Sequence, residues 1–116
     1  MSEHAGPVTL INVFEIPAEQ VDAFIEGWTK RARIMSTQPG FRDAALHRAL
    51  SPDGRFQLVN VGHWDSAEAY TAAQTDPEFL AARARVTQDA PQVAAHPELY
   101  RVVAGYAGPP GPPAGA

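Results

Sequence analysis

Along this chain the apolar positions switch between a period of two and a period of three to four, and each switch marks an element. In "VTLINVFEI", residues 8–16, Val8, Leu10, Asn12, Phe14 and Ile16 share one side of an alternating strand. Pro17 ends the strand and can open a helix. From about residue 18 to 37, Val21, Phe24, Ile25, Trp28, Ala32 and Met35 recur at helical steps and form one apolar stripe. "QPG" at 38–40 stops it. A second strand is predicted over residues 41–50. "SPDG" at 51–54 is a turn signal, with a glycine able to take positive φ, and it joins a third strand over 56–64 in a hairpin.

A second helix is expected to open at "DSAE", with Asp65 as N-cap and Glu68 three residues on. Asp76-Pro77 breaks it, and it resumes to about Val86. The last strand is placed at 98–106. Residues 1–6 read as a flexible N-terminus and 7–106 as one domain. "AGPPGPPAGA" at 107–116 reads as a mobile tail that cannot build a core. The order strand, helix, two-stranded hairpin, helix, strand is the split βαβ pattern. It predicts an α+β, ferredoxin-like βαββαβ fold, a four-stranded antiparallel sheet with both helices on one face. The other face would carry Thr9, Ile11 and Val13 from the first strand and Gln57, Val59, Val61 and His63 from the third. So apolar a face calls for cover, and a homodimer closed sheet to sheet is expected.

That topology makes the first and third strands central neighbours. On their helix-covered face Asn12 and Asn60 interrupt an otherwise apolar wall, and an amide there is costly without a partner. Trp64 follows Asn60 by four residues on the same face, and Tyr70 lies on the helix beyond. Arg83 falls on the inward stripe of Phe79, Leu80 and Val86, whereas Arg85 falls on the other side. Phe24 and Trp28 shape the space from the first helix. His47 shares strand parity with Phe41 and Ala45 and is placed inward. Together these would form an apolar pocket with a few directed polar groups, suited to an aromatic, oxygen-rich ligand. Each residue also has a plainer reading: the asparagines as partners of a backbone group at a bulge, Trp64 as core, Tyr70 as a half-exposed helix residue, Arg83 as a solvated side chain.

Composition narrows the chemistry. The 116 residues carry a formal charge of −4 and no cysteine, which removes disulfides and thiolate chemistry. No basic block is present, so nucleic acid and anionic membranes are not expected partners. There is no signal-peptide pattern and no apolar run near the roughly 20 residues that span a bilayer, and a cytoplasmic protein is expected. No His/Asp/Glu set has metal-ligand spacing, and no P-loop, G-x-S-x-G or G-x-G-x-x-G occurs.

With "PGF" at 39–41 and "HWDSAEAY" at 63–70, the chain resembles the antibiotic biosynthesis monooxygenase family of dimeric α+β barrels, over about residues 8–103. Members that oxidise aromatic polyketides to quinones carry an Asn four residues before the Trp, which Asn60 and Trp64 match. Those of the actinorhodin-pathway type add a Tyr six residues after that Trp and an Arg beyond an Asp-Pro pair. Tyr70, Asp76-Pro77 and Arg83 match these, with a one-residue gap before the pair. The resemblance implies oxidation of a polyketide-like phenol or anthrone by O₂, with no metal and no cofactor. Asn60, Trp64, Tyr70 and Arg83 would be catalytic, and Asn12, Phe24, Trp28 and His47 would bind substrate. Ring-cleaving relatives use reduced flavin, which stays an alternative, as do a binding or cyclase-type protein and a stress-related member with a small quinone or aldehyde ligand. The haem-degrading branch uses a first-strand Asn, a Trp on the second helix and a haem-ligating His. Asn12 fits the first, but Ala73 stands at the Trp position and no His occurs from Asp65 to Ala95, so haem degradation is not expected.

Overall fold

The computed structural model describes residues 6–111. Strand β1 (Val8–Glu15) leads through Pro17 and a 3₁₀ turn (Ala18–Gln20) into helix α1 (Val21–Met35). The hairpin strands β2 (Phe41–Arg48) and β3 (Leu58–Trp64) follow. Three short helices come next, α2 (Ala67–Ala73), α3 (Pro77–Ala84) and α4 (Val86–Asp89), and strand β4 (Ala94–Tyr100) ends the regular structure. The strands form one antiparallel sheet in the order β2-β3-β1-β4. This is the ferredoxin-like α+β arrangement that the element order predicts. Residues 1–5 of the expected N-terminal segment and 112–116 of the expected tail lie outside the described residues. No helix among the described residues is long and apolar enough to cross a membrane.

Alternation decides the faces. In β3, Leu58 and Trp64 are buried under the helices, while Val59 and Val61 on the other face are only partly covered and His63 is exposed. Asn12 pairs directly with Asn60 across β1 and β3, so the two amides lie on one rung of the inner face. The buried apolar side chains form two clusters. Phe14, Ile16, Val21, Phe24, Leu58 and Ala90 make one. Met35, Trp64, Ala73 and Phe79 make the other.

Four details depart from the sequence-based expectation. The first is a bulge in β2 between Phe41 and Asp43. The extra residue reverses parity beyond it, so Ala44 and Leu46 face the helices and His47 turns to the outer face, exposed, with Nδ1 3.3 Å from the Val59 carbonyl oxygen. The second is β4, which begins at Ala94 rather than 98. Pro97 lies inside it, acceptable because β4 is an edge strand. The third is Gln57, which precedes β3. Its buried amide donates to the carbonyls of Ser51 and Gly54 and holds the hairpin loop together. Gly54 closes this turn without positive φ.

The fourth is the start of α2. Asp65 follows the strand end and is held against it, since its N–H donates to the Gly40 carbonyl at 2.8 Å and its carboxylate pairs with Arg42. The helix therefore begins one residue later, with Ser66 as N-cap accepting from the Ala69 N–H at 3.1 Å. At the Asp76-Pro77 break, Asp76 caps α3 by accepting from the Phe79 N–H, and Pro77 occupies the first turn where its missing N–H costs nothing. Gly40 of "PGF" has φ of 86°, and a Cβ built there would lie 2.5 Å from the Ala69 Cβ. Here the strand end passes so close under α2 that only glycine fits.

Candidate active site

The two apolar clusters leave a gap at mid-sheet, where the inner face carries the paired amides Asn12 and Asn60 and, further along β3, Gly62 without a side chain. A cavity of about 310 Å³ opens there, between the sheet and α1, α2 and α3. Phe24 and Trp28 wall it from α1, and Trp64 and Phe79 wall it from the opposite cluster. Phe24 also packs on Phe14, with ring centroids 4.7 Å apart.

Seven of the eight residues singled out in the sequence line this cavity: Asn12, Phe24, Trp28, Asn60, Trp64, Tyr70 and Arg83. His47 does not, for the parity reason above. The two asparagines are not equivalent. Asn12 faces Pro97 across β1 and β4, and its Oδ1 accepts from the His96 N–H at 3.0 Å, so its oxygen serves the backbone. Asn60 Oδ1 is buried and has no hydrogen-bond partner among the described residues. Buried amide oxygens are rarely left so, since the lost hydration is not replaced.

Trp64 is 2% exposed and is gripped edge-on by two rings, Phe41 at 5.2 Å and Tyr70 at 5.7 Å between centroids. Its indole edge is directed along the strand toward Gly62: a Cβ at Gly62 would sit 3.8 Å from Trp64 Nε1. The glycine thus keeps space open between the indole N–H and Asn60. Tyr70 comes from α2, and burial raises its phenol pKa above the usual value, an effect the Arg83 charge partly offsets. The phenol therefore keeps its proton through the neutral range and acts as a donor. Arg83, from α3, is largely exposed while it lines the cavity, which places it at the opening.

The lining residues outside the candidate set include Arg31, Met35, Gly62 and Gln74. Met35 already falls on the helical stripe of Phe24 and Trp28, and Arg31 could have been read from the same spacing. Gly62 could have been read from its parity between Asn60 and Trp64.

The antibiotic biosynthesis monooxygenase domain model matches residues 7–85. The chain belongs to the antibiotic biosynthesis monooxygenase family. Solved structures of similar proteins agree with this family assignment. One, from Shewanella loihica PV-4 and described as a candidate monooxygenase, is 33% identical, with TM-score 0.70 over 87% of this chain and 98% of that one. SnoaB from Streptomyces nogalater, a cofactor-independent oxygenase, is 26% identical, with TM-score 0.67 over 87% and 97%. Among curated proteins, a mycobilin-producing haem oxygenase of Mycobacterium tuberculosis is 32% identical over 75 residues, 65% of this chain and 70% of that protein. The chain is thus an enzyme of the monooxygenase type, and a haem oxygenase is among the proteins similar to it.

The cavity does not fit haem. Its lining holds no histidine or cysteine, and haem iron needs an axial ligand. Among the described histidines, His63 pairs with Asp43, His96 lies near Glu15, and His47 points outward. Ala73 is buried in the Trp64 cluster, where it presents only a methyl group.

Proposed function

We propose that the chain is a cofactor-independent monooxygenase that oxidises an aromatic polyketide-like phenol or anthrone to a quinone with O₂. The observation that carries this reading is the orphaned Asn60 oxygen in a cavity of aromatic walls. A carboxamide offers an acceptor and a donor side by side. A phenolic hydroxyl next to a ring carbonyl offers the complementary pair. Asn60 Oδ1 accepts from the hydroxyl, and Nδ2 donates to the oxygen that becomes negative.

The difficulty for catalysis is that triplet O₂ reacts slowly with closed-shell carbon. An anthrone methylene that loses a proton becomes electron-rich enough to give one electron to O₂. The radical pair recombines to a hydroperoxide at that carbon, and loss of water leaves the quinone carbonyl. One CH₂ and one O₂ become one C=O and one H₂O. The protein's part is to lower the energy of the anion and to keep the intermediate dry. Asn60 and the Trp64 N–H are donors for the anionic oxygen. Arg83 faces the peroxide charge from the opening, and the Tyr70 phenol supplies the proton that lets water depart.

An anthrone such as dithranol, offered under air with chelator and without flavin, tests the reading. Oxygen uptake and quinone absorbance above the uncatalysed rate are expected. Uptake that appears only with reduced flavin would move the chain to the flavin-assisted ring-cleaving class. No uptake in either condition would leave a binding role or a different substrate.

The reading includes a homodimer. Ile11, Val13, Val59 and Val61 form the centre of the outer sheet face and are only partly covered within one chain. A second copy seated on this face would complete the dimeric barrel of the family. Light scattering should give twice the 12.4 kDa chain mass. Val61→Glu should return it to one chain, because a charge at the centre of an apolar interface is costly.

A further inference from the structure

Arg31 lies three residues after Trp28 and four before Met35, so α1 turns it toward the sheet with them, where all three line the cavity. It is half-buried, and its guanidinium carbon stands 5.1 Å from the centroid of the Phe24 ring. Burial lowers its pKa from the usual guanidinium value and Asp89 acts against that shift. A guanidinium so placed stays charged. One turn earlier, Gly27 leaves room for the group: a Cβ there would come 3.2 Å from Arg31 Nη1 and 3.3 Å from Asp89 Oδ2.

What sets Arg31 apart is that it is half-buried in the cavity wall and still has no hydrogen-bonded partner. Arg42, Arg48 and Arg55 each hold a carboxylate at the surface. Among the described residues, Arg31 makes no hydrogen bond and no ion pair, although Asp89 lies close enough to act on it electrostatically. Arg83, exposed at the opening, also makes no hydrogen bond or ion pair among the described residues, and no acidic side chain lines the cavity. A chain of net charge −4 thus carries two cations and no anion in its cavity wall. Removing a cation from water without giving its N–H groups acceptors is costly. A ligand anion supplies both the charge and the acceptors, and a carboxylate matches the guanidinium fork in two parallel bonds.

We propose that Arg31 is a specificity-determining residue that receives a carboxylate carried by the aromatic substrate. This rests on the aromatic-ligand reading of the cavity and adds a substrate class to it: aromatic polyketide acids rather than neutral phenols. It also divides the two arginines. Arg31 anchors a permanent negative charge, and Arg83 meets the charge that develops during reaction.

Calorimetric titration of the full chain at neutral pH tests this with two probes of one shape, anthraquinone-2-carboxylate and anthraquinone-2-carboxamide. The wild type should bind the acid about tenfold more tightly or better. Arg31→Gln should remove that preference and leave the amide within about twofold, and Arg31→Lys should recover part of it. Thermal melts show whether each variant is folded, and the lysine variant keeps the charge should the glutamine variant fail to fold. Equal loss for both probes would make Arg31 a packing residue and overturn the assignment. So would an unchanged preference in Arg31→Gln with its loss in Arg83→Gln. Equal binding of both probes by the wild type would remove Arg31's role and leave the oxygenase reading in place. Binding of neither probe would remove the aromatic-ligand reading itself and the assignment with it.

Discussion

Replacing Asn60 by alanine is expected to lower dithranol turnover by about 10²–10³-fold, the effect of deleting one preorganised donor to a developing oxyanion. KM should change by no more than a few-fold. The argument rests on when the amide is needed. Ground-state binding draws mainly on the aromatic walls of Phe24, Trp28 and Trp64, which the substitution leaves intact. The amide's charge-directed bond strengthens only as the substrate oxygen becomes negative, so its loss falls on kcat and kcat/KM together. Stability should move the other way, since alanine removes a buried oxygen that has no partner in the free protein. A melting temperature at or above the wild type, combined with lost turnover, would mark Asn60 as a residue kept for chemistry. Unchanged turnover would remove it from the mechanism, and a clear fall in melting temperature would point to a structural bond instead.

The second large effect is expected at Gly40, outside the cavity. Gly40→Ala meets two separate costs. The backbone φ of 86° is unfavourable for a residue with a side chain, and the new Cβ would stand 2.5 Å from that of Ala69. Ala69 has no flexible end to swing aside, so α2 itself must shift. Together these should cost about 2–4 kcal/mol, a fall on the order of 10–20 °C in melting temperature. Activity in the folded fraction should fall as well. α2 carries Tyr70, whose ring packs edge-on against Trp64. The double variant Gly40→Ala/Ala69→Gly should recover the steric part of the loss and leave the conformational part. No recovery would show that the contact with Ala69 is not the source of the damage.

The fold was legible because its elements announce themselves with different periods and its breaks with Pro and Gly. Strand parity also placed Asn60 and Trp64 on one wall correctly, since β3 is regular from Leu58 to Trp64. Parity failed at His47 because a bulge changes it without a distinctive residue at the site. The last strand was shifted because Pro97 reads as an interruption unless the strand is known to be an edge, and strand order is a tertiary fact. Arg31 escaped notice because an arginine on an apolar stripe usually lies along the surface with its head in water. Only the packing of α1 against the sheet shows that the cavity receives it. The difference between the two asparagines was also hidden. Whether an amide is occupied depends on the strand opposite, and β4 supplies a backbone donor to Asn12 but none to Asn60.

Gly62 has a consequence for how such a cavity can change over time. A methyl group at this position would touch the Ala44 Cβ and the Asp43 carbonyl oxygen at 3.6 Å, ordinary contact distance. A side chain there would also suit a strand better than glycine does. The packing therefore accepts a methyl group; what it removes is room between Asn60 and the indole N–H. The ligand size this cavity accepts can thus be reset by a single Gly62→Ala step that leaves Asn60 in place. A lineage built on this sheet can trade one ring system for another at a position where an added methyl group meets only ordinary contacts.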